Sequence, residues 1–107
     1  MRQEQTGMTI AEDNWKESIR MMGCVVCWLQ GHPRTPAAVH HLIEGGRKIS
    51  ELHTIPLCEP GHHQKGDGVI KISRHPTHAR FTQAYGTDEY LLEVTQQLVA
   101  RMREALA

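Results

Sequence analysis

The middle of the chain carries side chains that bind metals and move protons. Its three cysteines stand at Cys24, Cys27 and Cys58, and most of its eight histidines fall between His40 and His78. The run Cys24-Val25-Val26-Cys27 lets one reversal of the backbone supply two thiolates. Cys58 with His62 then completes four soft or borderline ligands for a structural zinc, with His63 as the other choice for the fourth. An odd number of cysteines suits a metal site in a reducing compartment better than a disulfide framework. The second group is His40, His41, His53 and whichever of His62 and His63 the zinc leaves over. Consecutive side chains on a strand point to opposite faces, so His40 and His41 cannot share one task. One ring can hold a divalent ion against a phosphate while its neighbour takes a proton from water near neutral pH.

These side chains need elements to hold them. Thr9 with Glu12 three positions on forms a capping box, and Trp15, Ile19 and Met22 share one helical face before Gly23, so a helix is predicted over 10–22. Residues 1–8 are polar and uncapped and are expected to be loose. The stretch CVVCWLQGHPRTP fits a knuckle and loop rather than a regular element, with Trp28 packed against the zinc. AVHHLIE reads as a short strand ended by Gly45 and Gly46, and LHTIPLC as a second strand whose Pro56 places it at an edge. Together they make a distorted hairpin. EPGHHQKGD reads as a single helical turn or a short helix, and GVIKIS as a strand or extended connector. HPTHARFTQAYG reads as a helix with Pro76 in its first turn and Gly86 at its end. Thr87 caps a last helix whose apolar stripe runs through Leu91, Val94, Thr95, Leu98, Met102 and Leu106.

Length and composition narrow the class. A chain of 107 residues suits one domain, and with aromatic residues at only 5% its core is modest, so a metal staple would substitute for missing core. Lys plus Arg and Asp plus Glu both number 12, which argues against a general nucleic-acid coat protein. The cations nevertheless gather in the middle, where Arg47, Lys48, Lys65, Arg74 and Arg80 are candidate phosphate contacts. No signal peptide and no long apolar run is present, so a cytoplasmic protein with no membrane partner is expected.

The segment VHHLIEGG…ELHTIPLCEPGHHQKG resembles the ββα-metal core of HNH, or His-Me finger, nucleases. With the downstream HPTHARFTQAYGTDEYLL, it is similar to the phage recombination-enhancement nucleases. The resemblance implies an α+β fold in which the ββα-metal core and a zinc knuckle are flanked by an N-terminal helix and C-terminal helices. It implies a metal-dependent DNA endonuclease, encoded by phage or prophage and acting in the bacterial host. His40 and His63 match its catalytic metal ligands and His41 its general base. His53 stands where the pattern has Asn, orienting His41 or assisting at the phosphate. The catalytic ion would be Mg²⁺ or Mn²⁺, although imidazole ligands also accept Zn²⁺ or Ni²⁺. DNA is the implied partner. That family acts on RecA-coated DNA with the help of a long basic N-terminal extension, and the short polar segment here sets an expectation against RecA dependence. The rival class is a zinc-stapled nucleic-acid-binding module without turnover.

Overall fold

A computed structural model describes residues 9–44 and 46–106. The expectation that 1–8 are loose, and the role of Gly45 as a strand stop, lie outside those residues. In chain order the elements are α1 (Ile10–Met22), α2 (Val25–Leu29), β1 (Ala37–His41), β2 (Ile43–Glu44), β3 (Arg47–Lys48), β4 (Thr54–Cys58), α3 (His78–Tyr85) and α4 (Asp88–Leu106).

The first helix starts and stops where local chemistry dictates. Thr9 Oγ1 accepts from the Glu12 amide at 3.1 Å and Glu12 Oε1 accepts from the Thr9 amide at 2.8 Å, so two amides at the helix start are satisfied reciprocally. Gly23 ends it at φ 83°, and a Cβ there would lie 2.7 Å from the Cα of Arg34. Only glycine allows the returning chain this close, and that approach brings the Cys24 amide to the Thr35 carbonyl at 2.9 Å. The knuckle that follows is more regular than its sequence suggests. Cys24 caps α2 by accepting the Cys27 amide on its sulfur, so the expected loop holds a short helix.

β1 and β4 form the expected antiparallel pair, with His40 opposite Ile55 and His41 opposite Thr54. Val39 faces Pro56; in a two-stranded sheet both strands are edges, which is where proline is tolerated. The hairpin is distorted because the chain breaks at Leu42 and forms a second small pair, Ile43–Glu44 with Arg47–Lys48, at its far end. After β4 the chain makes turns closed by a bridge between Gly61 and Lys65, so EPGHHQKGD forms neither the single helical turn nor the short helix expected of it. GVIKIS is a connector rather than a strand. α3 begins at His78, two residues later than Pro76 suggested, and ends at Gly86 as expected. Thr87 caps α4, with its hydroxyl accepting the Tyr90 amide at 3.1 Å. No helix among the described residues is long and apolar enough to cross a membrane.

The core lies where the helices meet β4. It gathers Ile19 and Met22 of α1, Val25 and Val26 of α2, Ile55 and Leu57 of β4, Phe81 of α3, and Leu91 and Val99 of α4. α4 turns Leu91, Thr95 and Val99 fully inward, while Val94, Leu98 and Met102 are only partly covered. Trp28 donates to the Met22 carbonyl at 2.8 Å and borders an apolar groove with Met21, Leu98 and Met102, rather than serving chiefly as a lid on the knuckle. Phe81, wholly buried, meets Tyr85 edge to face at 5.0 Å. Tyr85 in turn meets the His62 ring at 4.9 Å and accepts the Ile72 amide on its hydroxyl. Phe81→Ala therefore removes a core ring and the support of Tyr85 together. Denaturant unfolding of that variant is expected to show a loss of about 3–5 kcal/mol, against about 1 kcal/mol for Thr9→Ala, which removes only a cap.

Candidate metal centres and nuclease site

Cys24, Cys27, Cys58 and His62 come together as the sequence predicts, and all four are buried. Cys24 and Cys27 come from the first turn of α2, Cys58 from the end of β4, and His62 from the turn that follows. His62 Nδ1 lies 3.4, 3.5 and 3.3 Å from the sulfurs of Cys24, Cys27 and Cys58, and the Cys27 and Cys58 sulfurs are 3.9 Å apart. Bonds of about 2.3 Å to sulfur and about 2.0 Å to nitrogen, set at tetrahedral angles, place ligand atoms about 3.5–3.8 Å from one another. The donor set and its spacing fit a structural metal such as zinc, and they make His62 rather than His63 the fourth ligand. Three thiolates around a divalent ion leave one net negative charge, and Lys71 Nζ, donating to Cys58 Sγ at 3.4 Å, lies where it offsets that charge. Burial pushes the Cys58 thiol up, but the His62 amide and the Lys71 ammonium outweigh it and bring it below its ordinary value. Burial dominates at Cys24 and pushes that thiol well up, so an ion is needed to keep it as thiolate.

His63, released from that cluster, faces His40. The two rings meet edge to face with centroids 5.2 Å apart, joining β1 to the turn after β4. His63 Nδ1 lies 2.6 Å from Glu59 Oε1, and Gln64 grips the other carboxylate oxygen at 2.6 Å. His63 and then Gln64 hold the Glu59 carboxyl below the usual range, so it is ionised and His63 must be the donor. That makes Nδ1 the donor and leaves Nε2 as the nitrogen a metal would take, the arrangement by which a carboxylate orients a metal-binding histidine. His40 Nε2 is buried without a hydrogen-bond partner. Burial, backed by the Arg74 guanidinium and His63, lowers the His40 pKa to about 4, so this ring is neutral at physiological pH and able to coordinate.

His41 leaves β1 on the opposite side, toward α1. Its Nε2 donates to Glu51 Oε1 at 2.9 Å, and Lys16 of α1 forms an ion pair with the same oxygen. Lys16 first and His41 second hold the Glu51 carboxyl at about 2. Thr54, opposite His41, accepts from the indole of Trp15 at 2.8 Å, which confirms that this face of the hairpin looks onto α1. His53 Nδ1 is hydrogen-bonded to Ser50 at 2.8 Å, and the residue borders a cleft with Leu42, Asp88 and Glu89. The structure thus brings the His40 and His63 rings together, while His41 is bonded to Glu51 and His53 to Ser50.

The candidate phosphate contacts also divide. Arg47 and Lys48 are exposed on β3, and Lys65 and Arg80 are exposed near the turn and the connector. Arg74 is not available: it grips Asp88 through Nε at 3.0 Å and Nη2 at 2.8 Å, half-buried. Burial would raise the Asp88 carboxyl, but the Arg74 guanidinium overrides it and holds it low. Sequence reasoning missed Glu59, Glu51, Lys16, Asp88 and Tyr85 as neighbours of the chemical groups. Only Glu59, four residues before His63, was within local reach.

No curated protein matches the chain. The profile of a family described as recombination enhancement, RecA-dependent nuclease matches residues 8–100, from the start of α1 through most of α4 and across both histidine groups. The chain belongs to the family of recombination-enhancement, RecA-dependent nucleases.

Proposed function

We propose that this chain is a metal-dependent DNA endonuclease of the HNH type, in which β1, β4 and the turn after β4 take the part of the ββα-metal core. The observation that carries the reading is the pair of facing imidazoles, His40 with a buried unpartnered Nε2 and His63 with its Nδ1 bonded to Glu59. These two residues would hold one divalent ion, Mg²⁺ or Mn²⁺, with water and phosphate oxygens completing its shell. When bound, the ion stabilises charge on the phosphate and on the leaving 3′ oxygen. His41, its Nε2–H fixed on Glu51, keeps Nδ1 as the base that accepts a proton from the attacking water, and the Glu51 carboxylate stabilises the imidazolium so formed. His53 is the second candidate for that base, because it shares a cleft with Asp88, whose charge also acts on His40. Arg47, Lys48, Lys65 and Arg80 would position the DNA backbone. The family's RecA dependence makes DNA held in a RecA filament the favoured substrate, against the expectation drawn from the short polar N-terminal segment. Zinc on Cys24, Cys27, Cys58 and His62 would be structural.

Purified protein is expected to retain one zinc per chain. Strong chelation or Cys58→Ser should unfold it, read as loss of far-ultraviolet circular dichroism in step with zinc release, because the cluster links segments that the small core alone does not hold. A chain that stays folded and cooperative without zinc would remove the structural role.

The catalytic reading is tested by cutting of supercoiled plasmid and single-stranded circular DNA, with Mg²⁺ or Mn²⁺ and with or without a RecA filament. His40→Ala, His63→Ala and His41→Ala should each lower cutting by about a hundredfold or more while leaving zinc content intact. A His41→Ala enzyme that cuts normally beside an inactive His53→Ala enzyme would move the base to His53. Folded, zinc-loaded wild type that cuts nothing under any of these conditions would leave the zinc-stapled binding module instead.

A further inference from the structure

The connector between the histidine-bearing turn and α3 displays an apolar tip that neither metal group uses. Val69 and Ile70 are 83% and 77% exposed, more than any other large hydrophobic side chain among the described residues. Two adjacent branched aliphatics held in water are an unfavourable arrangement unless something covers them.

The tip is built rather than loose. Asp67 Oδ1 accepts the amides of Val69, Ile70 and Lys71 at 3.0, 2.9 and 3.0 Å, and the Gly68 amide donates to the Lys71 carbonyl at 3.1 Å. Arg80 of α3 braces it from outside, donating to the Gly68 carbonyl at 2.8 Å. Its base is fastened to the turn that carries both histidines: Ser73 Oγ accepts the Gly66 amide and donates to the Gly61 carbonyl, while the Arg74 and His75 amides donate to the carbonyls of His62 and His63. The apolar tip is therefore held in fixed relation to the His40–His63 pair. Charge names its partner. Arg74 is committed to Asp88 and Lys71 to the Cys58 sulfur, which leaves Lys65 and Arg80, exposed before and after the tip in the chain, against Asp67, the single acid between residues 65 and 80.

We propose that Val69 and Ile70 form a wedge that enters the minor groove of duplex DNA beside the cutting site and unstacks a base step, with Lys65 and Arg80 on the flanking phosphates. Apolar wedges between basic side chains are how proteins kink a duplex from that groove. A kink beside the metal pair would open the backbone to it. The inference rests on the reading of the chain as an enzyme that cuts DNA, and it narrows the substrate to duplex that can be deformed.

The test uses full-length, zinc-loaded protein and duplex oligonucleotides carrying 2-aminopurine at successive positions, without Mg²⁺ or Mn²⁺. Wild type should raise the fluorescence at one step, and Val69→Ser/Ile70→Ser should abolish that rise and weaken duplex binding tenfold or more. Zinc content and thermal unfolding should not change, since both side chains face solvent. Plasmid cutting with Mg²⁺, run in parallel, should fall by a similar factor. Three results would overturn the wedge: no duplex binding or fluorescence rise with wild type, a double variant that behaves as wild type, or one that loses binding only to RecA-coated DNA, which would assign the tip to a protein contact. Wild type that binds and unstacks but never cuts would support the wedge while removing the nuclease reading beneath it.

Discussion

Everything in the middle of this molecule hangs on the four-ligand cluster of Cys24, Cys27, Cys58 and His62. It joins the junction of α1 and α2 to the end of β4 and to the turn after it, three segments far apart in sequence. The turn has no helix of its own to stiffen it, and its position is set by His62 at the cluster and by the short bridge between Gly61 and Lys65. His63 is the next residue, so the anchor of the fold and the candidate catalytic ligand are one peptide unit apart. Gly61 makes this possible, because a Cβ there would meet Cys58 Sγ at 2.9 Å and the Lys71 side chain at 2.8 Å.

A second constraint orders the imidazoles. Strand alternation sends His40 toward the turn and His41 toward α1, and each side is completed by a carboxylate. Glu59 fixes the donor nitrogen of His63, and Glu51 fixes that of His41. Each carboxylate is itself held, by Gln64 in one case and Lys16 in the other, so neither imidazole is free to choose its tautomer. A metal ligand and a proton acceptor make opposite demands on a ring, one needing a lone pair aimed at a fixed point and the other a basicity sustained through proton uptake. Separate carboxylates on separate faces would let the hairpin and the turn after it meet both demands.

What could be read from sequence follows the range of the interactions concerned. The α1 boundaries were legible because a capping box and a terminal glycine act within four residues. The cluster was legible because three cysteines and a nearby histidine leave few combinations. The pairing of His40 with His63 came only through resemblance, since nothing local says that a residue 23 positions on returns to the same strand face. The segment 59–65 was misread as a helical turn or short helix because its proline, glycine and histidines are compatible with either, whereas the chain there makes turns closed by the Gly61–Lys65 bridge. The Arg74–Asp88 pair was not legible because Asp88 lies at the start of α4, beyond any local rule. Glu51 was invisible as the partner of His41 for the same reason, with Lys16 of α1 completing that contact from still farther away.

The size of the chain explains why its structural and chemical groups are so closely interleaved. A core with one phenylalanine and two tryptophans cannot position several independent loops. Phe81 supports Tyr85, Tyr85 supports the His62 ring and caps the Ile72 amide, and the connector from Gly66 to His75 is fastened by the Ser73 hydroxyl to the Gly61 carbonyl and by backbone bonds to the carbonyls of His62 and His63. The same few groups thus carry order from the core to the metal cluster, from the cluster to the histidine pair, and from the turn outward to the connector. In a larger enzyme the last of these would be a surface loop with its own hydrophobic footing. Here its position is inherited from the four-ligand cluster, so disrupting that cluster would release the candidate catalytic ligand and the basic, apolar-tipped connector together.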